Sequence, residues 1–316
     1  MQDIKPFSEH IKFLKGEIET ALQKIPLEHS PDYLYEPLKY ILKGKGKRLR
    51  PILVHLAGQA FKADPEDLMK VGVAVELLHN FTLVHDDIMD GDVARHGQPT
   101  VHKKWDDSAA ILAGDGLFIL AQLMLCGLPP LLHQRFNEIS MSVCEGQGMD
   151  KEFEHDTSIS MGQYLIMIGK KTGSLLGLCA QLGALIGNAS NETAHHLFEF
   201  GLNLGLAFQI QDDFLEIFSD SSSMGKSLGS DIYSGKQTVL TILAREKNNE
   251  QWTNFVKENN VISDYHSYFQ KNGIKDEVQK IIQRYINKAQ EDLKVVSEDS
   301  RNHLNQFATS ILNRKY

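Results

Sequence analysis

Residues 76–90 read ELLHNFTLVHDDIMD. Val73, Leu77, Asn80 and Phe81 fall at i, i+4, i+7 and i+8, and Leu78 and Val84 widen the apolar stripe, which is the spacing of a helix. That helix ends in acids. Asp86 and Asp90 lie four apart, so their carboxylates share one face, one turn above the other. Like charges that close cost stability unless something positive sits between them. The chain continues GDVARHGQPT (91–100), which breaks the helix and brings in Arg95 and His96. A lone DDxxD is also what a solvated helix tip looks like, so the pair needs a partner to carry meaning.

Residues 208–220, FQIQDDFLEIFSD, supply one. Phe198, Leu202, Gly205, Phe208 and Gln209 trace a second helical stripe, and Asp212 and Glu216 repeat the four-residue carboxylate spacing at its end. Hard oxygen ligands suit Mg²⁺, which usually shares its shell with substrate phosphates and water. Acids clustered in a chain of net charge −8 make sense when Mg²⁺ bridges them to a diphosphate. The same net charge leaves no basic field for nucleic acid. Residues 44–51, GKGKRLRP, concentrate Lys45, Lys47, Arg48 and Arg50, and Arg95, Lys171, Lys226 and Lys236 sit near other breaks. Arginine grips phosphate oxygens two at a time and lysine acts as a mobile point charge.

The 316 residues are 42% hydrophobic and 23% charged, the balance of a soluble globular protein. Cys126, Cys144 and Cys179 are odd in number and lack CxxC spacing, which predicts small buried hydrophobes in a reducing cytoplasm rather than disulfides or zinc. The charged N-terminus does not read as a signal peptide. The most apolar run, Thr172–Gly187, is short for a bilayer and contains Gln181, so a buried helix is expected and stable membrane insertion is not.

No proline follows Pro130, which permits long helices, and period-two alternation is nearly absent. The expectation is an all-α chain with breaks at Lys43–Gly46, Gly91–Thr100, Gly127–Pro130, Gly187–Asn191 and Asn272–Gly273. Ser219–Lys236 reads as a loop. Residues 245–316, with weak stripes through Val278, Ile282, Tyr285, Ile286 and Ala289, read as a helical cap on a core of residues 40–240. No linker divides the chain, so a single domain over 1–316 is expected.

Eight stretches together resemble the trans-isoprenyl diphosphate synthases of the polyprenyl synthetase family: GKGKRLRP, ELLHNFTLVHDDIMD, RHGQPTVH, AILAGD, EGQGMD, KKTG, FQIQDDFLE and GKSLGSDIYSGKQT. They occur in family order across residues 40 to 240. The resemblance implies an all-α bundle of long antiparallel helices around a deep central cavity, usually homodimeric. It implies Asp86 and Asp90 on two Mg²⁺ ions, and Asp212 on a third with Asp213 and Glu216 in support; Asp87 belongs to the same metal-binding motif. Arg95, Lys171, Lys226 and Lys236 would contact the allylic diphosphate, and Lys47, Arg50 and His79 the diphosphate of isopentenyl diphosphate. Thr172 and Gln209 would present oxygens to the allylic cation.

Two positions depart from the family pattern. His96 stands where a second arginine is common, a weaker and pH-dependent grip on isopentenyl diphosphate. Glu216 stands where aspartate is usual. Upstream of Asp86 the helix also acts as a ruler, descending about 5.4 Å, close to one isoprene unit, per turn. Phe81 and Thr82 lie one turn down, and Leu77 and Leu78 two. An aromatic floor at Phe81 with small Thr82 beside it favours a twenty-carbon geranylgeranyl product over a fifteen-carbon farnesyl one. A class I terpene cyclase and a non-catalytic regulatory subunit remain as alternatives; the intact GKGKRLRP argues against the first, and the survival of both acidic motifs against the second.

Overall fold

The computed structural model describes residues 7–219, 232, 235–258 and 261–312. Helices dominate, as the missing period-two alternation predicts. Among the described residues the strands are β1 (Ala94–Arg95) and β2 (Gln98–Pro99), a two-residue antiparallel pair inside the expected break at 91–100. The other four expected breaks also separate helices. The chain divides into two compact units: Met1–Asn137, Cys179–His195 and Val296–Leu304 form the first, and Glu138–Leu178, His196–Val295 and Asn305–Tyr316 the second.

The first unit holds α1 (Phe7–Gln23), α2 (Asp32–Leu42), α3 (Leu49–Gln59), α4 (Pro65–Asp90), the short α5 (Val101–Lys104) and α6 (Asp107–Met124). The acid-tipped helix is α4. Asp64 caps it, accepting from the Glu66 and Asp67 amides at 2.9 and 3.2 Å, and Pro65 fills a first-turn position whose N–H would have no helical partner. It stops at Gly91, whose φ of 68° suits a residue without Cβ. From Val71 to Leu78 every residue of α4 is buried, a wider face than the stripe predicts, because α3 and α6 both pack against it. Full burial of an aliphatic side chain such as Leu77 or Leu78 stabilises by about 2 kcal/mol, so this segment anchors α4 in the core.

After α7 (Pro130–Phe153) come α8 (Met161–Ile168), a π-helical turn at Gly169–Gly173, α9 (Ser174–Ile186) and α10 (Asn191–Phe218). Then follow α11 (Val239–Lys247), α12 (Asn249–Glu258), α13 (Ile262–Lys271), α14 (Ile274–Asp292) and α15 (Glu298–Leu312). A capping box opens α8: Ser160 Oγ accepts from the Gln163 amide while the Gln163 side chain accepts from the Ser160 amide. The apolar run at 172–187 becomes α9, buried along most of its length as expected. Among the described residues, the one helix long and apolar enough to cross a membrane is instead α6, with a mean hydropathy of 1.3 and 33% of that window buried. The stripe through Val278, Ile282, Tyr285 and Ala289 is the buried face of α14.

Candidate active site

In the first unit, the GKGKRLRP loop turns Lys47 outward, half-buries Arg50 and buries Arg48. Arg48 takes the left-handed conformation, φ 54°, at the start of α3, and its Nη1 donates to Glu76 Oε1 of α4 at 2.7 Å. Nearby is His79. Burial holds its imidazole well below the ordinary pKa, and Arg50, Arg95, Arg48 and His96 push it further the same way. His96 is lowered too, first by burial and then by Arg95, Lys47 and Arg48, with Asp87 opposing. Lys47, Arg50, His79, Arg95 and His96 thus lie within one another's field, and burial first, then the neighbouring cations, lowers the pKa of both histidines. Such a cluster is built to accept a polyanion.

The acids divide by role. Asp86 is half-buried and Asp90 exposed, on the face their spacing predicts. Asp87 is buried and accepts from Arg95 Nε at 2.6 Å, with a second guanidinium nitrogen at 2.5 Å. Burial raises the Asp87 pKa and the Arg95 contact opposes that rise. Its carboxylate therefore holds Arg95 in place. Phe81 lies edge-on to His85, with ring centroids 4.7 Å apart, and tilted against Phe118 of α6 at 5.5 Å. Thr82 is half-buried, its hydroxyl donating to the His79 carbonyl, and Leu77 and Leu78 are buried below.

The second unit shows the same division. Asp212 and Glu216 are half-buried and four apart on α10, while Asp213 is buried. Asp213 accepts from Tyr164 Oη at 2.7 Å, Gln209 Nε2 at 3.1 Å and the Val239 amide at 3.4 Å. Thr172 Oγ1 donates to Gln209 Oε1 at 3.2 Å, so the two polar side chains expected near the allylic cation are joined in one network anchored on Asp213. The π-helical turn carries Lys170, Lys171 and Thr172. It fits because its neighbours lack side chains: a Cβ on Gly146 would lie 2.3 Å from the Lys171 amide nitrogen, and one on Gly205 2.5 Å from Gly173 Cα. Lys171 Nζ rests on Asp150 Oδ2 at 2.6 Å. Lys236 is half-buried, and Lys226 lies outside the described residues.

Sequence reasoning missed the supporting partners Arg48, Glu76, Asp150 and Tyr164. Glu76 gave a signal, being a charge three residues before His79 on an apolar helix; Asp150 and Tyr164 gave none that spacing could detect.

The polyprenyl synthetase family profile matches residues 31–281. The chain belongs to the polyprenyl synthetase family. The geranylgeranyl diphosphate synthase of Methanosarcina mazei is 39% identical over 245 residues, 76% of either chain. The geranylgeranyl pyrophosphate synthase of Geoglobus acetivorans is 35% identical over 319 residues, covering 98% of this synthetase and 99% of that one. The crystal structure of the geranylgeranyl pyrophosphate synthetase of Pyrococcus horikoshii superposes with a TM-score of 0.90 at 35% identity, covering 98% of both chains. The synthetase has the all-α isoprenoid synthase fold.

The donor sets fit Mg²⁺. Among the described residues no group of three or more acidic, histidine or cysteine side chains forms a ready-made cage. Two oxygen ligands on one helix face, open to substrate oxygens, are what Mg²⁺ takes when it binds with a diphosphate. Asp86 with Asp90, and Asp212 with Glu216, present that arrangement.

Proposed function

We propose that this prenyltransferase condenses isopentenyl diphosphate head-to-tail with an allylic diphosphate, releases diphosphate, and makes geranylgeranyl diphosphate. The observation that carries it is the convergence of Arg50, Arg95 and His96 on the buried His79, with Lys47 acting on His96, on and beside the helix that ends in Asp86 and Asp90. Lys47, Arg50 and His79, with His96, hold the isopentenyl diphosphate. Arg95, Lys171, Lys226 and Lys236 contact the allylic diphosphate. Asp86, Asp90, Asp212 and Glu216 would hold Mg²⁺, three ions as the family resemblance implies, sharing their shells with the substrate phosphates, while Asp87 and Asp213 support from behind. When bound, those ions neutralise charge on the departing diphosphate.

The chain's own residues do the rest. Lys171 and Arg95 hold the leaving group in line, and the Thr172 hydroxyl and Gln209 carbonyl offer dipoles to the allylic cation. Holding the isopentenyl double bond against that cation contributes by proximity, and the released diphosphate takes the final proton. Phe81, set by Phe118 and His85, forms the floor, with Thr82 beside it and Leu78 below. The names of the Methanosarcina and Geoglobus relatives support the twenty-carbon product. The protein works in the cytoplasm as a homodimer, in a single catalytic domain. Its three free cysteines, of which only Cys179 is buried as expected while Cys126 and Cys144 are exposed, and the exposed apolar side of α6 support the first two statements.

The test is product chromatography with isopentenyl diphosphate and dimethylallyl, geranyl or farnesyl diphosphate. Geranylgeranyl diphosphate is expected from all three, with activity lost on chelation and restored by Mg²⁺. A hydrocarbon formed from geranyl diphosphate alone would mark a cyclase, and inactivity of the pure chain a regulatory subunit.

A further inference from the structure

The cation cluster is presented by a loop, and loops of that length are not rigid unless something holds them. The buried Arg48 guanidinium is at its centre. Nη1 donates to Glu76 on α4 at 2.7 Å, and Nη2 donates to the Gly44 carbonyl at the beginning of the same loop. The backbone of Gly46 lies over the guanidinium, so that a Cβ there would sit 2.9 Å from Nη1 and 3.1 Å from Cζ. Residues 44–48 are therefore wound around one side chain, and that side chain is tied to the helix that bears His79. The left-handed backbone at Arg48 sends its side chain inward while Lys47 stays exposed and Arg50 half-buried. A non-glycine residue adopts that conformation at a cost, sustained only where the surroundings over-determine it.

With side chains 6% and 4% exposed, the Arg48–Glu76 pair is no special source of stability, since an apolar pair of equal volume stabilises as well. What it supplies is direction: two donors of a planar fork fix both the loop and its angle to α4.

We propose that Arg48 and Glu76 are positioning residues that set the GKGKRLRP loop so that Lys47 and Arg50 reach the isopentenyl diphosphate together with His79. This rests on the proposed function and adds residues that touch no substrate.

Steady-state kinetics with both substrates varied, in Arg48→Lys, Glu76→Gln and Gly46→Ala, test it. Arg48→Lys keeps the charge but cannot span two acceptors. Gly46→Ala keeps every charge and displaces the guanidinium by sterics alone. Each variant is expected to raise KM for isopentenyl diphosphate about tenfold or more, the scale of one lost charge-assisted contact, with KM for the allylic diphosphate and the product length unchanged. Calorimetric titration with inorganic diphosphate should show the same weakening without turnover. If both KM values rise together, or neither moves, the proposal is overturned and the pair is merely structural. Should Glu76→Gln fail to fold, the other two variants decide. A wild-type chain that binds inorganic diphosphate but never consumes isopentenyl diphosphate would sink the assigned function. The titration of the variants would still decide on Arg48.

Discussion

At the scale of single residues, each DD motif is two different residues. Asp86 and Asp212 keep their carboxylates at or near the surface, while Asp87 and Asp213, one position on, are buried and spent on Arg95 and on Tyr164 with Gln209. One step along a helix turns a side chain by about 100°, so adjacent aspartates meet different surroundings. In the proposed function Phe81 forms the floor that sets product length. Phe81→Ala should lengthen the product by at least one isoprene unit, read by chromatography; an unchanged distribution means that Phe81 only packs against Phe118. His55 makes a prediction about pH. Burial, with His10 adding to it, lowers its pKa from 6.5 to about 4. A depressed histidine pKa contributes stability that is present above the unfolded value of 6.5 and is lost as pH falls toward 4. Between pH 7 and pH 5 that loss is about 2 kcal/mol. Denaturant titrations at the two pH values should show His55→Leu losing less than the wild type by that margin, and equal losses would refute it.

At the scale of elements, the π-helical turn at Gly169–Gly173 is held between backbones that approach too closely for any side chain. Gly146→Ala and Gly205→Ala force backbone to move, at about 1–3 kcal/mol each by the usual cost of overpacking. Thermal denaturation should show both variants melting several degrees lower, with kcat reduced because Lys171 and Thr172 shift. Unaltered melting would mean the turn is not held there. The helix boundaries were largely legible in the sequence. Asp64-Pro65 and Gly91 announce the ends of α4 through local hydrogen bonding and a left-handed φ, both properties of a few neighbouring residues. The π-helical turn was not legible in KKTG, since its cause is the lack of side chains on helices far along the chain.

At the scale of the whole molecule, α6 exposes Ile111, Leu112, Ile119 and Leu123, which are 46%, 45%, 59% and 57% accessible. Ile111, Ile119 and Leu123 repeat at multiples of four and so share one side of the helix. The proposed homodimer covers that side. Sedimentation equilibrium without detergent should give twice the 35.6 kDa chain mass, and Ile119→Lys with Leu123→Lys should give monomers. A wild-type monomer that binds lipid vesicles would instead assign this side to a membrane. The sequence singled out Thr172–Gly187 as the most apolar run and passed over α6, because Asp107 and Asp115 interrupt it and because exposure is not a property of composition.

The sequence alone determined that the chain is helical, where most helices end and which family it belongs to, and it singled out the acids and cations to which the proposed function assigns the chemistry. These follow from residue spacing within one or two turns, which acts over distances the chain itself sets. Only the tertiary structure decided that Arg48 faces inward to Glu76, that Asp87 and Asp213 are supports, and that Lys171 rests on Asp150. Those roles depend on which groups remain in water and which charge lies across from them once distant segments pack, and no local pattern encodes that.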